Sequence, residues 1–119
     1  LWYLYMHDPG NLEGYLWKRK ERVKLKYWQK RYFVQVQSKL VYYKTKEHRN
    51  VLGFIDLNEI NKIIKVRYDK KLKFGFAIYT DARIWHLGAE KADDEKYWID
   101  GIGKFLLDDM SVRVRTITK

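Results

Sequence analysis

Lys18-Arg19-Lys20-Glu21-Arg22-Val23-Lys24-Leu25-Lys26-Tyr27-Trp28-Gln29-Lys30-Arg31 is the stretch on which the fold turns. It holds eight basic residues against one acid, Glu21, and so carries +7 of the formal net charge of +10. Upstream lies Gly14-Tyr15-Leu16-Trp17-Lys18, and the stretch itself runs on through Trp28-Gln29-Lys30-Arg31 into Tyr32-Phe33-Val34. Two β-prone runs around a polar connection predict a hairpin with a long basic loop. Strand side chains alternate between faces, so Leu16 shares a face with Lys18 and Phe33 shares one with Arg31. With Leu16 and Phe33 directed into a core, Lys18 and Arg31 lie on that same inward face, one step nearer the loop. Two cations then stand at the open mouth of a β-structure, a geometry suited to a phosphate. A charge run ordinarily does no more than solvate a face. Scattered solvating charge, however, has no reason to fall on the core-facing register.

Composition bounds what such a mouth can belong to. A chain of 119 residues suits one domain with a single core. Apolar residues make up 46 % of it, with five Trp, ten Tyr and five Phe, so no covalent staple is needed. The absence of Cys excludes disulfides and thiolate metal sites and fits a reducing, cytoplasmic setting. No apolar run approaches the ~20 residues of a spanning helix. Leu1–Met6 is too short for a signal peptide and lacks its basic flank. Opening on Leu rather than Met, the sequence reads as a piece of something longer. A charge of +10 argues for a polyanionic partner: lipid headgroups, nucleic acid or an acidic protein surface.

In chain order, His7-Asp8-Pro9-Gly10-Asn11 is a turn cluster that separates residues 1–11, an unassigned extension, from the first strand. Strands are expected over residues 12–18, 27–37, 40–44, 51–57, 60–68, 74–79 and 83–87, at the turn spacing of an antiparallel sandwich or barrel. The period then changes. Asp93-Asp94-Glu95 places acids where a helix start favours them, and Trp98, Ile102, Phe105 and Leu106 form one apolar stripe. Gly101 and Gly103 weaken that helix intrinsically, so packing of the stripe must hold it. A single helix after seven strands is placed to plug one end of the barrel. Residues 108–119 read as a tail, with alternation from Ser111 that fits a strand or a linker.

These pieces, in this order, resemble the pleckstrin homology (PH) domain. The likeness is carried by Glu13-Gly14-Tyr15-Leu16 with Lys18, by Trp28 with Lys30-Arg31-Tyr32-Phe33-Val34, and by Leu40 with Tyr42-Tyr43. It continues through Gly53, Ile55 and Leu57, Phe76 and Ile78, then Arg83, Leu87 and Ala89-Glu90, and ends on Trp98-Ile99 with Ile102. It spans residues 12–107. The resemblance implies a mainly β, seven-stranded barrel or sandwich of two near-orthogonal antiparallel sheets, capped by one C-terminal α-helix. It also implies that Trp98 is a core residue. Members that bind phosphoinositides carry a Lys, a variable loop, then basic-x-Arg-x-aromatic. Lys18, Arg31 and Phe33 fill three of those places, while Gln29 stands in the first basic one. Tyr43 matches a strand-three tyrosine that bonds a phosphate, and Leu52 stands where a basic residue often precedes the strand-four glycine.

The function expected is a non-catalytic, peripheral membrane-targeting module in the cytoplasm that binds phosphoinositide or anionic phospholipid headgroups through a basic mouth formed by the strand 1–2 and strand 3–4 loops. The headgroup residues are Lys18, Lys20, Arg22, Lys30, Arg31 and Tyr43, and the membrane-contacting loop is Arg19, Val23, Lys24, Leu25 and Lys26. Basic side chains near an anionic leaflet contribute on the order of 1 kcal/mol each, whereas headgroup discrimination needs directed hydrogen bonds from fixed groups. The alternative is a protein-interaction module, motivated by Gln29 and Leu52, using the groove between strand five and the helix or the strands of Tyr15, Tyr42 and Trp85. Nucleic-acid binding would need Tyr27, Trp28 and Tyr32 as stacking platforms, and no nucleic-acid motif accompanies them. No metal or other cofactor is expected: His7, His48 and His86 lie in separate segments without ligand spacing, and Ser38 and Ser111 have no His or Asp beside them. Lys70, Lys71 and Lys73 read as a solvated turn.

Overall fold

The structure is a computed structural model that describes the backbone of residues 11–22 and 25–117, and the side chains of 11–20 and 27–107. Its strands are β1 (Glu13–Arg22), β2 (Leu25–Val36), β3 (Lys39–Tyr43), β4 (Gly53–Asp56), β5 (Ile60–Val66), β6 (Phe74–Thr80) and β7 (Ile84–Ala89). One 3-10 turn, Leu57–Glu59, follows β4, and a single long helix, α1 (Ala92–Ile117), ends the chain. The strands lie in the order β4-β3-β2-β1-β7-β6-β5, every neighbouring pair antiparallel. The two expected sheets are therefore one continuous ladder, whose halves meet only at Trp17↔Gly88 and Lys18↔Leu87. β4 and β5 remain its two ends, so the sheet is not closed and folds over itself as a sandwich.

Two segments differ from expectation. The β1–β2 ladder runs from Glu13↔Val34 as far as Arg22↔Leu25, so most of the basic stretch is strand rather than loop. The reason is compositional. Between Lys18 and Arg31 there is no Gly, Pro, Asn, Asp or Ser, the residues that break strands, and charge alone does not break them. At the other end, α1 continues to Ile117 where a strand or linker was expected from Ser111. Neither Gly nor Pro occurs after Gly103 to end it.

The inward register matches the alternation. Leu16, Phe33, Leu40, Ile55, Phe76, Ile78 and Leu87 are fully buried. α1 closes one end of the sandwich with the predicted stripe, burying Trp98 and Ile102 and part of Ile99, Phe105 and Leu106. The Trp98 indole meets Phe33 edge-on, ring centroids 6.3 Å apart. Gly14 passes this indole with φ +154°, a backbone that disfavours any side chain, while its own Cβ position would lie 3.6 Å from the ring.

The two helix glycines have opposite surroundings. A Cβ at Gly101 would collide with a methyl of Leu12 and fall 3.0 Å from its Cγ, whereas nothing lies within 4 Å of one at Gly103. Leu12 is itself core, 4 % exposed. Gly103→Ala is expected to raise stability by up to ~1 kcal/mol through helix propensity. Gly101→Ala should lower it, by about 1–3 kcal/mol, because overpacking against Leu12 outweighs the same propensity gain. Urea unfolding of the two variants gives the sign of each. Trp98→Ala should cost about 3–5 kcal/mol in the same measurement.

Candidate functional site

Lys18 is the one buried charged residue among the described residues, with 7 % of its surface exposed. Strand parity puts it there. Leu16 precedes it by two on the core face, and its partner across β7 is the core residue Leu87. Its ammonium lies between two aromatic faces, 5.4 Å from the Tyr42 ring centroid and 5.6 Å from that of Trp85. No carboxylate among the described residues forms an ion pair with Lys18, Lys20, Arg31 or Arg83. Burial, and then the neighbouring charges of Arg83, Arg31 and Lys20, hold the Lys18 pKa below the ordinary lysine value.

The space in front of this ammonium is an open cavity of about 250 Å³, lined by Lys18, Lys20, Gln29, Arg31, Tyr42 and Leu52. The β1–β2 register explains the set. Lys18 faces Gln29 and Leu16 faces Arg31, so Lys18, Lys20, Gln29 and Arg31 all point to the inward face. Phe33↔Tyr42 extends that face into β3. Arg31 is oriented by a 3.0 Å hydrogen bond from Nη1 to the carbonyl of Lys30. Burial also raises the Tyr42 phenol, an effect the charges of Arg83 and Arg31 oppose. Three cations, a phenol and an amide thus converge on one cavity, with no acid among the described residues paired to those cations.

The register also separates residues that the sequence grouped. Lys30 pairs with Trp17 across the ladder and lies on the outer face, where it bonds Glu90 at 2.8 Å and holds that carboxyl below its usual range. Tyr43 pairs with Tyr32, again on the outer face, under the Arg49 guanidinium at 5.2 Å. Neither lines the cavity; both are one residue out of phase with it. Tyr32 is pushed up to about 12, by burial first and then by its hydrogen bond to Glu13. Arg19 lies on the outer face beside the Trp28 and Tyr68 rings. The side chains of Arg22, Leu25 and Lys26, and all of Val23 and Lys24, lie outside the described residues. Tyr42 and Trp85, named as parts of an external interaction surface, are instead walls of the interior, Trp85 being 8 % exposed.

Three residues near Lys18 were not grouped with it from the sequence. Gln29 and Leu52 looked like missing basic groups, yet both line the cavity. Arg83 stacks on Trp85 with its guanidinium carbon 3.7 Å from the ring centroid, and it acts on both Lys18 and Tyr42. The signal for Arg83 was the same parity: it precedes core Trp85 by two and core Leu87 by four. Elsewhere, the Asp69 carboxylate accepts from the backbone N–H of Lys71 and Leu72, which builds the basic turn between β5 and β6. His86 Nδ1 lies 2.7 Å from the Tyr68 hydroxyl. Among the described residues, no three His, Cys, Asp or Glu side chains come together as a metal site. No helix among them is long and apolar enough to cross a membrane.

The comparisons with known proteins agree with the fold. The PH domain family model matches residues 11–106. A PH domain-containing protein of Dictyostelium discoideum is 33% identical over 100 residues, covering 82% of this chain and 21% of that protein. A RAC family serine/threonine-protein kinase homolog of the same organism is 38% identical over 92 residues, covering 77% of this chain and 20% of that one. The chain therefore spans about a fifth of the length of these relatives. Among solved structures, the PH domain of human TBC1 domain family member 2 superposes with a TM-score of 0.66 at 25% identity, covering 78% of this chain and 77% of that one. The C-terminal PH domain of pleckstrin, in complex with D-myo-Ins(1,2,3,4,5)P5, superposes with a TM-score of 0.65 at 25% identity, over 78% and 94% of the two chains. With its seven strands, its capping helix and a match over most of its length, the chain belongs to the PH domain family and is a non-catalytic module.

Proposed function

We propose that this PH domain is a peripheral membrane-targeting module of the cytoplasm, which takes the headgroup of a phosphoinositide or another anionic phospholipid into the cavity around Lys18. The observation that supports the reading is the buried Lys18 ammonium, set among the charges of Arg31, Arg83 and Lys20 and without a carboxylate partner among the described residues. Removing an ammonium from water costs several kcal/mol even after relaxation, and like charges nearby add to that cost. A phosphate entering the cavity offsets both. Arg31 offers a planar fork of donors matched to two phosphate oxygens, Lys18 and Lys20 offer point charges, and Gln29 and Tyr42 offer neutral hydrogen-bonding groups for ring hydroxyls. The pleckstrin domain bound to an inositol pentakisphosphate supports this choice of ligand class.

Two levels of attraction arise from where the charge lies. The net +10 draws the domain toward an anionic leaflet, and salt screens that attraction over a distance of ~8 Å at physiological ionic strength. Contacts inside the cavity are partly desolvated and less exposed to screening. Headgroup binding should therefore outlast the salt that removes binding to phosphatidylserine alone.

Lys18→Ala combined with Arg31→Ala should abolish sedimentation with phosphoinositide-containing vesicles while circular dichroism shows an intact fold. Sedimentation that survives this double variant removes the cavity from the function. Lys18→Met should raise the stability of the ligand-free domain by about 1–2 kcal/mol at neutral pH, because it removes an unpaired buried charge, and it should also weaken vesicle binding. The sign with pH is set by the lowered Lys18 pKa. Between that value and the ordinary 10.5 the unfolded state binds more protons than the folded one. The native protein therefore gains stability as pH rises through this window, and the gap to Lys18→Met narrows. Thermal melts of both proteins across the alkaline range read this directly, and a Lys18→Met melting temperature at or below that of the native chain would contradict the account.

A further inference from the structure

The outer face of the sheet carries another cavity, about 270 Å³ in volume and lined by Trp17, Trp28, Asp69, Lys71 and Leu72. We infer that it docks an acidic peptide segment of a partner protein, one large apolar side chain entering between the indoles and the carboxylates lying over the lysines of the rim. The inference does not rest on the headgroup reading. Trp17 and Lys18 are adjacent on β1 and so point to opposite faces of the sheet, which lets one strand serve both sites.

The register builds the groove. Trp17 pairs with Lys30 and Arg19 with Trp28, so the two indoles are diagonal neighbours on the outer face. Across β7 the partner of Trp17 is Gly88, which has no side chain. Leu72 takes that space: a Cβ at Gly88 would lie 3.0 Å from Leu72 Cδ2 and 3.9 Å from Trp17 Cβ. The connection between β5 and β6 holds Leu72 there. The Asp69 carboxylate accepts from the N–H of Lys71 and Leu72 at 2.7 and 2.8 Å, and Tyr68 N–H donates to the Leu72 carbonyl at 3.3 Å. The Tyr68 ring, its centroid 5.0 Å from that of Trp28, braces the second indole. Two indoles and a leucine thus form a fixed apolar wall, the kind of pocket that takes a single anchor at a protein interface. At about 270 Å³ it falls short of the ~300–1,000 Å³ of small-molecule sites and suits one side chain.

Charge selects the rest of the occupant. Lys71 and its neighbours Lys70 and Lys73 are exposed, and none of them is in an ion pair among the described residues. Lys30, beside Trp17, already has Glu90. The Asp69 carboxylate lies in the groove itself and opposes a phosphate there, whether from a lipid headgroup or from a nucleic-acid backbone. A peptide meets both conditions, with a neutral anchor inside and acids outside.

The indole N–H resonances of Trp17 and Trp28 read the groove directly. The probes are three capped peptides, Glu-Glu-Phe-Glu-Glu, Glu-Glu-Ala-Glu-Glu and Lys-Lys-Phe-Lys-Lys, titrated into the whole chain. The first should move both resonances and bind at least about tenfold tighter than the second, the size expected from burying one phenylalanine. The basic peptide should leave both in place. Leu72→Ala should weaken the acidic Phe peptide by about tenfold yet sediment with phosphoinositide vesicles like the native chain. Lys18→Ala with Arg31→Ala should bind that peptide as the native chain does. Equal affinity for the Phe and Ala peptides overturns the inference, and so does binding of the basic peptide. Resonances that respond to D-myo-Ins(1,2,3,4,5)P5 or to oligouridylate, and not to the acidic Phe peptide, assign the groove to a phosphate ligand or a nucleic acid and overturn it too. Peptide binding by a chain that never sediments with vesicles leaves this inference standing and removes the headgroup reading. The converse result removes only this one.

Discussion

Lys18 is held in place by strand register and not by a counter-charge. Its position on the core face results from its two-residue spacing from Leu16 and from its pairing with Gln29 and Leu87. Its ammonium rests between the rings of Tyr42 and Trp85, whose quadrupoles attract a cation without neutralising it. The same alternation brings Arg31 and Lys20 to one cavity and sends Lys30 to an acid on the opposite face. A period of two thus sorts neighbouring cations in one basic run into two roles. One group faces the cavity on the inward side, and the other makes ordinary surface pairs.

The rest of the architecture keeps this arrangement from collapsing. Lys18 lies at the junction where the two halves of the sheet share only two residue pairs, so space remains on the side away from the ladder. α1 fills the opposite end with Trp98 and Ile102, which leaves the mouth as the open end of the sandwich. The fold tolerates the unfavourable charge because the core beneath it, from Leu16 through Phe33 and Phe76 to Trp98, is continuous. Burial and neighbouring cations both disfavour the charge on Lys18, the kind of local conflict between stability and chemistry that marks candidate functional positions.

Much of this was legible in the sequence, because the signals were periodic. The strands, the helix stripe and the placement of Lys18 beside Arg31 all come from counting by two or by three and four. What failed did so for identifiable reasons. Tyr43 was taken from the family resemblance and Lys30 as a neighbour of Arg31, and each is out of phase with the inward face by one residue. Arg83 was in phase but lies just before β7, and only the fold brings its charge near Lys18. Gln29 and Leu52 were weighed by the charge they lack, whereas the cavity uses an amide and an aliphatic wall at those places. The hairpin loop was drawn too long because basic residues were read as loop formers, and the helix too short because valines alternated near its end.

The division between strand and connection has a consequence for how such a domain drifts over generations. Lys18, Lys20 and Arg31 are tied to the frame of the sheet, so one residue gained or lost within β1 would turn the whole set outward and bury the wrong side chains. Val51 and Leu52 lie between strands, where length and composition change at little cost to the core. A lineage descended from this chain can therefore vary that connection a few positions at a time without disturbing the core. The set of cations inside the sheet is inherited as a block, kept whole or lost whole.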